Sequence, residues 1–237
     1  MWLPVFHLSV IALNVYACTY DQLYLDIPFP SKVFDDMPFK ARYMFLTIWC
    51  FMLQTLYFCV SFLNDIIGTN EVAPKRTPLI RNIKDILFSV AFPIALYVSV
   101  AFWGIYAIDK PLVFPEMLEK IFPAWLNHTM HTFITVFLII ELLVTKRNYP
   151  SRITGSTITI VFVVSYIIWM HVLHARTGAW PYPIFDVLNL PMRFVFCGFS
   201  TILGLGIYIV GEKLNSIVSP ISKQYYSNGT SKKSKLK

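Results

Sequence analysis

"PAWLNHTMHTFITVFLIIELL", Pro123–Leu143, opens with two histidines and then runs on as hydrocarbon, interrupted by Thr132, Thr135 and Glu141. A helix of that length measures about 30 Å, the thickness of a bilayer's apolar core. Read as a membrane span, this stretch sets the fold class, because the chain repeats it. Six runs reach the ~20 mostly apolar residues that a span needs: Trp2–Tyr20, Tyr43–Ile66, Ile86–Ile108, Pro123–Thr145, Ser156–Leu173 and Phe194–Gly211. Composition agrees. Of 237 residues, 56% are hydrophobic and 14% charged, against roughly 25% charged in an ordinary soluble domain. The expected fold is all-α and polytopic, with six transmembrane helices. The first run lacks a basic leader and a small-residue cleavage site, so it reads as a span and not as a signal peptide.

The net charge of +7 does not point to nucleic acid, because the basic residues occupy short loops and a tail. Thirteen Lys and Arg fall in the second and fourth loops and the tail, and seven in the other three loops. The positive-inside rule then places both termini in the cytosol. Residues 1–215 are expected to form one transmembrane domain and residues 216–237 a basic cytosolic tail. The last five residues, "KSKLK", put Lys233 and Lys235 fifth and third from the end. That spacing is similar to the dilysine retrieval signal of endoplasmic-reticulum membrane proteins and would bind a retrieval coat. A plain basic tail drawn to anionic lipid is the competing reading, and the plasma membrane the competing location.

Cys18, Cys50, Cys59 and Cys197 lie inside apolar runs without ligand spacing. They read as inert thiols and not as a disulfide framework. Two N-x-T sequons occur, at Asn127 and Asn228. One lies in a helix at the membrane edge and the other on the expected cytosolic tail, so neither is a good glycan acceptor.

Ionisable groups inside spans default to functional hypotheses, and here they are His7, His128, His131, Glu141 and His171. Asp65, Asp85, His174 and Glu212 stand at span ends, where water is expected to reach them. On an α-helix His128 and Asn127 fall about 60° and 40° from His131 and share its face. Glu141 lies about 15 Å further along and roughly 80° round, so it cannot orient His131. His131 has three readings. A metal would need three or four ligands, and His128 and His131 supply two with no carboxylate at their depth, so no metal or cofactor is expected. A hydrogen bond between helices is the second reading. General-base chemistry is the third, and it needs a nucleophile at the same depth. Thr47 supplies one. It stands about 6 Å into its span and His131 about 12 Å into the other, from the same side, whereas Thr55 lies over two turns deeper. Intramembrane threonines ordinarily bond their own i−4 carbonyl, so the residues alone leave the structural reading open.

The segments "WLNHTMHTF", "YPSR", "TGAWPYPIF" and "GEKLN", with "YMFLTIWCFMLQT" around Thr47, resemble the family of androgen-induced gene 1 and the androgen-dependent TFPI-regulating protein. The resemblance covers about three-quarters of the chain, from the second span to the start of the tail. It implies a multipass membrane hydrolase of fatty acid esters of hydroxy fatty acids, with an intramembrane threonine nucleophile and histidine. By motif these are Thr47, seven residues before Gln54, and His131, the second histidine of N-H-x-M-H. His128 and Asn127 are candidate supporting residues. The substrate's carboxylate would then meet a cation such as Arg193 or Arg42. Two rival readings are a non-enzymatic membrane regulator of a coagulation inhibitor's expression or trafficking, and a transporter. The latter ranks last for want of an internal repeat of the Pro93 span.

Overall fold

The computed structural model describes residues 2–27, 37–71, 74 and 76–219. Six helical segments are long and apolar enough to cross a membrane. They are α1 (Trp2–Tyr24), α2 (Leu46–Ile67), α3 (Leu79–Asp109), the broken span Ala124–Val144, α7 (Arg152–Thr177) and α9 (Leu190–Val218). The broken span consists of α5 (Ala124–His128), one π-helical turn (Thr129–Phe133) and α6 (Ile134–Val144). Short helices α4 (Glu116–Ile121) and α8 (Ile184–Val187) lie in the connections, and no strand occurs among the described residues. The fold is all-α, as expected.

Helix α2 shows why these sequences pack. Its buried residues, Thr47, Cys50, Phe51, Gln54, Tyr57, Phe58, Ser61 and Asn64, recur at the three- and four-residue spacing of one helical face. Helix α3 is central and packs against α2, α6, α7 and α9. Its buried Ser89, Ala91, Ala95 and Ser99 are small, which lets backbones approach closely where hydrocarbon solvent gives little drive to associate. The outer faces of α7 and α9 stay apolar and uncovered, with Ile153 81% and Ile202 71% exposed, as lipid contact requires.

The spans alternate in direction. One end of the bundle collects the starts of α2, α5 and α9. The other collects the starts of α1, α3 and α7, and Lys146 Nζ donates there to the Val218 carbonyl. This second end corrects two expectations. Arg81, Lys84 and Asp85 lie within α3, which begins seven residues before the predicted Ile86. Together with Arg147 they are buried and paired, and are not solvated loop charges. Asp65 and Asp85 are likewise closed to water, with side chains 2% and 4% exposed. Glu141 stands at the centre of this network. Its carboxylate accepts from His7 Nε2 at 2.9 Å, Tyr57 Oη at 2.7 Å and Thr145 Oγ1 at 2.8 Å, with Lys84 and Arg147 each 3.7 Å away. His7 Nδ1 bonds Asp65 at 2.7 Å. Apolar-run statistics miss such pairs because only their tertiary partners make the charges tolerable in hydrocarbon. The tail signal at Lys233 and Lys235 and the second sequon lie outside the described residues.

Candidate functional site

Thr47 is the second residue of α2, after Phe45 as N-cap. Four residues behind it, the Tyr43 carbonyl, in the 3-10 turn Pro38–Met44, accepts instead from the Trp49 and Trp169 indoles at 2.8 and 3.2 Å, so the usual back-bond of an intramembrane threonine is not made. Thr55, a full eight residues further on, makes that bond, Oγ1 to Phe51 O at 2.8 Å. The Thr47 hydroxyl instead meets His131 Nε2 at 3.3 Å. Gln54 explains the register. Seven residues are almost two turns, so Gln54 shares the Thr47 face, and its amide donates to the Ile134 carbonyl just past the π-helical turn.

His131 sits in that turn, between Thr129 and Phe133. Single π turns recur at functional sites because they re-aim one side chain. Here His131 Nδ1 lies 2.7 Å from Asn127 Oδ1 and 3.1 Å from Asn127 O. Both partners are acceptors, so Nδ1 carries the proton and donates, and Nε2 presents its lone pair to the Thr47 hydroxyl. Phe102 of α3 stacks on the imidazole, with ring centroids 3.6 Å apart and planes 11° from parallel. The register of α3 is held by Trp103 Nε1 donating to Thr132 Oγ1 and by a Ser99–Thr135 hydroxyl pair. Thr47, His131 and Asn127 are all buried.

The structure therefore brings together three of the four candidate residues. His128 is not with them: it is exposed, stacks on Trp103 at 5.3 Å and pairs with Thr132 Oγ1. A turn wider than 3.6 residues keeps the residue four back beneath His131 and swings the residue three back aside. Asn127 also has its amide turned inward on the imidazole, away from any role as a sequon.

Tyr182 went unnoticed in the sequence. Its hydroxyl accepts from the Leu46 N–H at 2.9 Å and lies within hydrogen-bonding reach of the Thr47 hydroxyl and amide and of Tyr166. Burial pushes its phenol up, so it stays a neutral O–H. The signal was the aromatic–proline loop "WPYPIF", but nothing in the sequence says that this loop folds over the start of α2. Thr47 and Tyr182 both line a cavity of about 110 Å³, walled by Ile94, Val98, Phe102, Val163, Ile167, Met170 and Phe196 among others.

The two expected cations differ. Arg42 is buried in an ion pair with Asp21, Nε to both carboxylate oxygens at 3.0 and 2.9 Å, and that commitment unsuits it for a ligand's carboxylate. Arg193 donates Nε to the Phe185 carbonyl and lies 4.7 Å over the Trp180 ring, next to the cavity wall.

Residues 4–216 match the family described as FAR-17a/AIG1-like protein, and the chain belongs to that family. It is 33% identical over 187 residues to the androgen-induced gene 1 protein of Homo sapiens, covering 76% of this chain and 79% of the relative. It is 37% identical over 176 residues to the androgen-dependent TFPI-regulating protein of Mus musculus, covering 74% and 76%. The Homo sapiens protein of that second name is 34% identical over the same shares. No solved structure matches the chain.

Proposed function

We propose that this FAR-17a/AIG1-like protein is an intramembrane carboxylic ester hydrolase acting on fatty acid esters of hydroxy fatty acids, with Thr47 as nucleophile and His131 as base. One observation carries the reading: a threonine hydroxyl 3.3 Å from His131 Nε2, whose Nδ1–H is anchored 2.7 Å from Asn127 Oδ1, beside an apolar cavity. That is nucleophile, base and orienting group in series.

His131 Nε2 takes the Thr47 proton as Oγ1 attacks the ester carbonyl. The tetrahedral intermediate then expels the hydroxy fatty acid's alkoxide, which leaves as the alcohol with the proton from Nε2. Water enters in its place, gives its proton to Nε2 and attacks the acyl-threonine carbonyl. The free fatty acid departs and Thr47 regains its proton. The developing oxyanion is met by the Tyr182 O–H, whose oxygen already accepts from Leu46 N–H at the positive end of α2. Fixed donors in a dry site need little reorganisation. Asn127 holds the imidazole tautomer and takes no proton.

The decisive experiment compares wild type, Thr47→Ala and His131→Ala at equal expression in detergent, reading free fatty acid released from such an ester. Activity in wild type and its loss in both variants is the expected result. If all three behave alike, the pair is structural, and the regulatory role named for one relative becomes the better guide. The endoplasmic reticulum with cytosolic termini is the location that goes with this reading.

A further inference from the structure

Gly204 of α9 is buried, yet a Cβ built on it would meet nothing within 4 Å. A buried glycine surrounded by space is uncommon in close-packed interiors. The space is the cavity that Thr47 lines, and Gly204 is part of its wall.

Helix lengths give its depth. Gly204 is fourteen residues from the start of α9, Ile94 fifteen before the end of α3, and Val163 fourteen before the end of α7. All three termini lie at the Thr47 end, so at 1.5 Å per residue the three floor residues converge about 21 Å in. Phe102, stacked on His131, is seven residues before the end of α3, about 10 Å in. The cavity therefore continues roughly 11 Å past the Thr47–His131 pair into the bundle. Its deep wall is hydrocarbon. The polar groups there, Tyr97 and Ser200, lie within hydrogen-bonding reach of each other. Among the described residues no Lys or Arg lines the cavity.

We propose that this chamber is the acyl-chain subsite, that it holds the unbranched alkyl tail of the fatty acyl group bound to Thr47, and that Gly204 sets the length it accepts. The proposal rests on the hydrolase reading. Of the substrate's two arms only the acyl arm fits. The hydroxy acid ends in a carboxylate, which cannot be buried in an apolar floor without a cation. The acyl arm also stays attached to Thr47 after the first step and needs shelter until water arrives.

The experiment has two parts. The first measures kcat/KM for esters of one hydroxy acid carrying octanoyl or palmitoyl groups, in wild type, Gly204→Leu and Gly204→Phe, with melting temperature as a fold control. Filling the floor should lower palmitoyl turnover about tenfold or more relative to octanoyl turnover, the scale on which apolar pockets discriminate by length. An unchanged palmitoyl-to-octanoyl ratio in both folded variants overturns the proposal. The second part uses a palmitic acid analogue with a diazirine near its methyl end, cross-linked to Thr47→Ala protein, so it does not depend on turnover. Labelling near Ile94 and Val163 that Gly204→Phe abolishes supports the subsite, even if wild type proves inactive and the hydrolase reading falls. Labelling of lipid-facing residues only, equal in both proteins, overturns it.

Discussion

Asn127→Ala tests the most specific element of the site, the anchoring of His131. The substitution removes the 2.7 Å acceptor and leaves Nδ1–H with the Asn127 backbone oxygen at 3.1 Å. The imidazole remains stacked on Phe102, so it loosens but is not released. Losing one neutral hydrogen bond is worth about 1 kcal/mol. Adding a comparable cost for a mixed tautomer gives about 1–2 kcal/mol, a roughly 5- to 30-fold fall in kcat. That is well short of the ~10²–10⁴ contributed by a general base, which His131→Ala should forfeit. The Michaelis constant should hold, because Asn127 does not line the cavity. Asn127→Asp keeps an acceptor at Nδ1 and should recover most of the loss. Thr129→Val deletes the sequon without touching the anchor and should match wild type. Steady-state hydrolysis in detergent across these variants reads all five expectations. An Asn127→Ala enzyme with wild-type kcat, or one impaired only in the Michaelis constant, refutes the assignment of Asn127 as the group that orients His131.

Other outcomes follow from the same geometry. Tyr182→Phe removes the O–H proposed to meet the oxyanion and should cost about 10²–10³ in kcat, as loss of one such donor does elsewhere, with the Michaelis constant little changed. Glu141→Ala takes the carboxylate from Lys84 and Arg147 in the apolar interior and leaves His7 with Asp65 alone, and should destabilise by about 3–5 kcal/mol, seen as loss of folded protein in a detergent melting assay. Tyr57→Phe, which removes one donor to the same carboxylate, should cost only about 1 kcal/mol. Gly211→Ala puts a methyl 2.9 Å from both Phe92 and the Tyr149 hydroxyl. Overpacking of about 1–3 kcal/mol should lower the melting temperature while specific activity per folded molecule is retained.

Some of this was legible beforehand and some was not, for physical reasons. Six spans could be read because bilayer thickness forces a run length on every crossing helix. Their ends were harder. Arg81, Lys84 and Asp85 look like loop residues until Asn148 N–H and the Lys146 carbonyl are seen to partner Asp85 and Arg81. The pairing of Thr47 with His131 was approachable by depth, since both spans enter from one side. Asn127 as the His131 partner and His128 as an outsider were not separable, because regular 100° spacing puts both on one face. Only the π-helical turn distinguishes them, and no residue in "NHTMHTF" announces it. Tyr182 depends on a loop folding across the start of another helix, and helical periodicity carries no record of that.

The Glu141 network has a consequence for how the chain comes to exist at all. His7, Asp65, Lys84 and Glu141 stand on four different spans. Each is poorly suited to lipid by itself. As the spans leave the translocation machinery in order, His7 can pair with Asp65 once the second is in, but Lys84 of the third lacks its carboxylate until Glu141, near the end of the fourth, arrives to close the set. The first three spans are thus expected to wait, shielded by water or by a chaperone, and to settle together once the fourth is in place. A chain stalled before that point would present exposed charge to the membrane's quality-control proteases. Assembly of the half of the bundle that carries no candidate chemistry would in this way certify the half that does.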